Sequence, residues 1–190
     1  KRETAPSSDT AGRGEEAGRV PGGEALRWLF LSACGTAVLL AVTNTITFDV
    51  ASVPFLWVLP LAVYLLTFVL VFKQTAWFPV WIQTLMNWAT GVGLLLFLMG
   101  EIRLGLPAWV SLLMHMGILF VVCMNCHGTL VSRKPSNNAH LTYYYMIISV
   151  GGFLGRLVVN WAAPMLSTSA VEFPLALAAG TAAVGTALVK

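Results

Sequence analysis

Cys123, Cys126 and His127 stand in a C-x-x-C-H arrangement. That spacing can present two thiols to the vinyl groups of a haem and leave the imidazole to ligate its iron. The same three residues suit a metal or redox thiol site, or simply two thiols packed as small apolar side chains. Three cysteines in all, an odd number, argue against a disulfide framework. Packed thiols are the favoured reading, so no cofactor and no bound metal are expected, and lipid or pigment contacts would come through partner proteins.

Arg156 carries the second kind of chemistry, because it interrupts a long apolar run. An arginine at such depth costs from about 2.5 to more than 10 kcal/mol unless it snorkels or is paired. Asp49 and Glu172 are the carboxylates nearest in depth and Glu101 is the third. An intramembrane ion pair is therefore expected, tying the fifth span to the first or sixth; the same charges would also serve as an anion or substrate site. His115 lies midway along an apolar run, where an imidazole is a neutral hydrogen-bonded group, a haem or chlorophyll ligand, or a proton relay. His127, His140 and Asn44 are further candidates for polar or ligand contacts. Thr43, Asn44, Thr45 and Thr47 together suit a lined cavity or hydrogen bonds between helices.

The elements that hold these groups must be membrane helices. The chain is 57% hydrophobic and 10% charged, with a mean hydropathy of +0.79, whereas about a quarter of a soluble domain is charged. A span needs about 20 apolar residues, and six runs meet that length: 28–48, 51–72, 77–99, 107–125, 141–164 and 170–189. Lipid offers no partner to backbone groups, so the expected fold is an all-α polytopic membrane bundle of about six helices. Pro54, Pro60 and Pro174 become kinks or first-turn residues. Residues 1–25, rich in Gly, Ser, Ala, Pro and charge, read as a disordered cytoplasmic tail preceding a transmembrane domain over 26–190.

Basic residues give the orientation, since they stay on the cytoplasmic side during insertion. With the N-terminus inside, nine lysines and arginines fall on inner segments and only Arg103 on an outer loop. Both termini are then cytoplasmic, and a bacterial inner membrane is the expected location. The net charge of +3 thus reports topology and not nucleic-acid binding. This orientation puts the C-x-x-C-H motif on the inner side, whereas c-type haem is attached on the outer, oxidising side. Small residues recur at four-residue spacing in several spans; Gly151, Gly152 and Gly155 in the fifth read as close helix contact, with a hinge or substrate approach as the alternative.

Two stretches carry a resemblance to a family. TNTITFDVASVPFLWVLPLAVYLLTFVLVF at 43–72 and CHGTLVSRKPSNNAHLTYYYMIISVGGFLGRLVVNWAAP at 126–164, with EFPLAL at 172–177, resemble the membrane region of bacterial fused proteins that are major-facilitator-like and spermidine-synthase-like. The resemblance implies membrane helices that accompany a cytoplasmic domain similar to polyamine aminopropyltransferases. The sequence holds no glycine-rich loop after a strand and no acidic pair for an amine, so the resemblance carries no catalytic residue onto it and no enzyme activity is expected. In the family's pattern a histidine is common where this chain has Thr45, and a glutamate where it has Thr129. His127, His140, Asp49, Glu172 and Arg156 match.

A non-catalytic accessory subunit of a larger membrane complex, respiratory or photosynthetic, is the function expected from these features, with membrane lipids and other integral membrane subunits as partners. The alternatives are a half-size transporter for a small charged metabolite such as a polyamine, which would have to dimerise, or a truncated record of the fused aminopropyltransferase.

Overall fold

The computed structural model describes residues 22–49, 55–73, 77–101, 107–136, 138–166 and 172–188. These form six helices: α1 (Gly22–Asp49), α2 (Val58–Phe72), α3 (Val80–Glu101), α4 (Ala108–Ser132), α5 (Asn138–Leu166) and α6 (Glu172–Leu188). No strand occurs among the described residues. Four helices contain segments long and apolar enough to cross a membrane, Gly22–Thr47, Val80–Gly100, Ala108–Ser132 and His140–Trp161. The other two are apolar but shorter, at 15 residues for α2 and 17 for α6. They rise about 22 and 25 Å, less than a hydrocarbon core of about 30 Å.

Local sequence accounts for the helix ends. α2 starts later than the apolar run at 51–72 suggests, after a turn at Phe55 to Trp57 that Val58 N closes onto Phe55 O at 3.2 Å. Pro60 then falls in the first turn, where its missing N–H has no helical partner to lose, and Pro174 sits in the same position in α6. Pro107 precedes α4 and its carbonyl accepts from Val110 N and Ser111 N at 2.9 and 3.1 Å. Pro54 lies outside the described residues, as does the expected tail over residues 1–21. Gly22 to Ala25, assigned to that tail by composition, instead form the first turn of α1.

α1 and α4 are the central helices. α1 packs against α2, α4, α5 and α6, and α4 against α1, α2, α3 and α6. Their contact is built from Leu31, Val38, Val42 and Ile46 of α1 with Leu119 and Val122 of α4, joined by Phe173 and Leu177 of α6. α5 is peripheral, its backbone approaching α1 and, slightly, α6. Large apolar side chains also point outward, among them Leu65 and Val69 on α2, Leu94 and Leu95 on α3, and Phe153 and Val158 on α5. Helices apolar on both inner and outer sides are what a lipid solvent requires.

Between such helices the hydrophobic effect supplies no net attraction, so close packing and hydrogen bonds must. Gly151 lies on Leu29 O and Gly155 on Ala33 O, bringing α5 into backbone contact with α1. Ser32 Oγ donates to Ile148 O at 2.6 Å in the same seam. Trp28 and Tyr144 close it edge to face, centroids 5.0 Å apart. Tyr144 Oη also donates to Leu130 O at 2.9 Å, joining the start of α5 to the end of α4. On the other side Gly93 of α3 accommodates Leu177 and Phe173 of α6.

Candidate functional site

On α4 the C-x-x-C-H spacing places Cys123, Cys126 and His127 on one flank, within about one turn of each other. All three are buried, between α1 and α2. Gly35 lets α1 approach this flank: Cys123 Sγ lies 3.9 Å from Gly35 O, and a Cβ added at Gly35 would stand 3.4 Å from His127 Nε2 and 4.0 Å from Cys126 Cβ. Cys34, the third free thiol, is buried beside them on α1.

The imidazole is enclosed by α2. Tyr64 and Phe68 present to it edge to face, with centroids 5.0 and 5.1 Å away. Thr67 Oγ1 donates to Tyr64 O at 2.7 Å and lies 3.2 Å from His127 Nδ1. With the threonine proton committed to the carbonyl, its oxygen accepts from Nδ1–H, which assigns the Nδ1–H tautomer. Thr36 of α1 also interacts with the Tyr64 phenol. Gly128 completes the motif by receiving the ring of Phe78 directly against the α4 backbone.

This geometry does not fit a haem. A porphyrin joined to both thiols would need the volume filled by α1 at Gly35 and by the Tyr64 and Phe68 rings. Among the described residues no group of three or more His, Cys, Asp or Glu is arranged to hold a metal ion. The arrangement can instead satisfy a buried imidazole and a phenol within a dry interface, where an unmade hydrogen bond would be expensive.

His115 is likewise buried. Its Nδ1–H donates to Ser111 O at 2.8 Å, with Ser111 Oγ at 3.4 Å, and its ring lies 5.0 Å from that of Phe173. His140 is half-buried near the start of α5, and Asn44 half-buried on α1. The threonines around Asn44 bond back onto their own helix: Thr43 to Leu39 O at 2.7 Å, Thr45 to Ala41 O at 2.9 Å and Thr47 to Thr43 O at 2.8 Å. Their hydroxyls thus answer the lipid by back-bonding to the preceding turn rather than by reaching a neighbouring helix.

Arg156 is exposed on α5, turned away from the Gly151 and Gly155 seam. Among the described residues it forms no ion pair and no hydrogen bond. The carboxylates expected to meet it, on Asp49, Glu101 and Glu172, have side chains outside the described residues. Asn160, one turn further along the same flank, is also exposed, as are Phe153 and Trp161. Gly152 lies near Thr36, where an added Cβ would meet Oγ1 at 3.4 Å.

Several residues outside the motif organise these sites. Glu24 accepts from Arg27 Nη1 at 2.9 Å and from Arg133 Nη1 at 2.9 and 3.1 Å. Asn125 Nδ2 donates to Ile82 O of α3 and to Val121 O, both at 2.9 Å. Thr67, the lone aliphatic hydroxyl within VYLLTFVLV, is the signal there for a partner to His127. Compared with known proteins, the chain matches no family model, no curated protein and no solved structure.

Proposed function

We propose that this chain is a non-catalytic integral membrane module, akin to the membrane region of spermidine-synthase-like proteins, that serves as an accessory subunit of a larger membrane complex. It crosses the bilayer six times with both termini cytoplasmic. The observation that carries this reading is α5. Among the described residues its backbone approaches only α1 and, slightly, α6, and its outward side bears Arg156 within an apolar segment. A charge facing hydrocarbon is costly, so a helix that keeps one on its open side is made to be covered by another protein.

Two further features support the reading. His127 is closed in by Tyr64, Phe68 and α1 and bonded to Thr67, as suits a packed contact rather than the lining of a path for a solute. Glu24, Arg27, Arg133 and Lys134 gather at the end where α1 begins and α4 finishes, as a cytoplasmic face rich in basic residues requires.

Extraction of native membranes in a gentle detergent tests this function, with identification of the chains that co-purify. Recovery with other integral membrane subunits is expected. A homogeneous particle of this chain alone that binds a polyamine would overturn it in favour of a carrier.

A further inference from the structure

We infer that Arg156 and Asn160 form a docking site for a carboxylate carried on a transmembrane helix of a partner protein. This rests on the subunit function above and names the chemistry of its contact. Residues 153, 156 and 160 share one flank of α5 by helical spacing, and all three are exposed. The guanidinium and the amide therefore stand one turn apart, both able to donate hydrogen bonds outward, and neither has a partner among the described residues. Two donors one turn, about 6 Å, apart along the helix, one of them cationic, are complementary to Asp or Glu and to no apolar side chain. Phe153, Leu157 and Trp161 around them supply the apolar contact that excludes lipid from the pair.

A phosphate of the nearer leaflet is the rival occupant, since Arg156 lies five residues, about 7.5 Å of rise, inside the end of the apolar segment at Trp161, and the cross-linking below separates it from a protein carboxylate. A second copy docking through α5 would be related by a two-fold axis along the membrane normal, and each Arg156 would then face its own counterpart at the same depth. Like charges brought together in hydrocarbon repel. A different chain, acidic at that position, avoids this repulsion.

The test uses the full chain in native membranes, with p-benzoylphenylalanine in place of Phe153 for photo-cross-linking and, as a control, in place of Leu65 on the far side of the molecule. The expected cross-link from position 153 falls in a transmembrane segment of another protein, within about one turn of an Asp or Glu. Co-purification of that protein should fall at least about fivefold with Arg156→Gln and should be largely kept with Arg156→Lys. Neutralising the partner's carboxylate should lower recovery by the same factor, and combining it with Arg156→Gln should lower it no further. Unchanged unfolding of the purified Arg156→Gln chain separates lost docking from lost folding. A cross-link to lipid alone, to a second copy of this chain, or to a segment without a carboxylate overturns the site. Partners that co-purify equally well with Arg156→Gln overturn it too while leaving the subunit function intact. Absence of any partner from the wild-type preparation overturns both.

Discussion

Glu24 and Arg133, 109 residues apart, meet at 2.9 and 3.1 Å and fasten the first turn of α1 to the end of α4. Arg27 donates to the same carboxylate from the next turn of α1, so one acid serves two arginines. The pair is partly exposed, with side-chain accessibilities of 30% and 16%, which limits its strength to about 1 kcal/mol. Glu24→Ala and Arg133→Ala should each lower stability by about that amount. In a double-mutant cycle of unfolding in detergent the two losses should combine to less than their sum. Strict additivity would mean that the ion pair contributes nothing.

The contact of α5 with α1 depends on the absence of side chains at Gly151 and Gly155. A methyl at Gly155 would run into the Ala33 carbonyl, which belongs to a rigid backbone and cannot turn aside. Gly155→Ala should therefore destabilise the bundle by about 1–3 kcal/mol, as overpacking does. Gly185, with open space around its Cβ position, is the control. Gly185→Ala should be neutral or stabilising by up to about 1 kcal/mol, because alanine is the better helix former. Reversible unfolding in mixed micelles ranks the two, and equal responses would refute the close contact.

Composition made the helical class and the length of its apolar helices legible, because no other arrangement satisfies a backbone in hydrocarbon. The runs at 77–99, 107–125 and 141–164 correspond to α3, α4 and α5, with α4 continuing to Ser132. The fourth apolar run ends at Asn125, where polar residues follow, yet Asn125 is buried and bonded to α3. The late start of α2 was hidden because residues before it are as apolar as those within it. His127 stood out as part of a motif, whereas its partners on α2 did not: Thr67 is 60 residues away, and spacing within one helix carries no information about a neighbour.

Thr67 gives His127 its only described hydrogen bond. Thr67→Val would leave Nδ1–H buried without an acceptor, at a cost of about 1–3 kcal/mol. Thr67→Ser should retain most of the stability. Adding His127→Leu to Thr67→Val should recover part of the loss, since removing both polar partners removes the unmet donor. Unfolding of the three variants decides the matter; a double variant worse than the sum of its parts would show that shape, not hydrogen bonding, governs the site.

Cys34, Cys123 and Cys126 are free and buried in the same interface, so none should react with a membrane-permeant maleimide in the folded protein. All three should react after unfolding in SDS. Mass spectrometry of intact protein before and after unfolding provides the count. Fast labelling of Cys123 or Cys126 under native conditions would reveal a solvated cavity between α1, α2 and α4, and would favour a carrier over a subunit.

Arg156 separates folding from assembly. In a bundle held together by an internal ion pair, removing a buried arginine strands the opposing carboxylate and costs about 3–5 kcal/mol. An outward arginine with no partner among the described residues has no such bond to lose, and its replacement by an apolar side chain relieves the cost of a charge against hydrocarbon. Arg156→Leu should therefore leave the isolated chain as stable as the wild type to within about 0.5 kcal/mol, or more stable. Unfolding of the purified chain, stripped of partners, is the measurement. A loss of several kcal/mol would mean that Arg156 is held from within, by a carboxylate such as Asp49 or Glu172, and is not turned towards another protein.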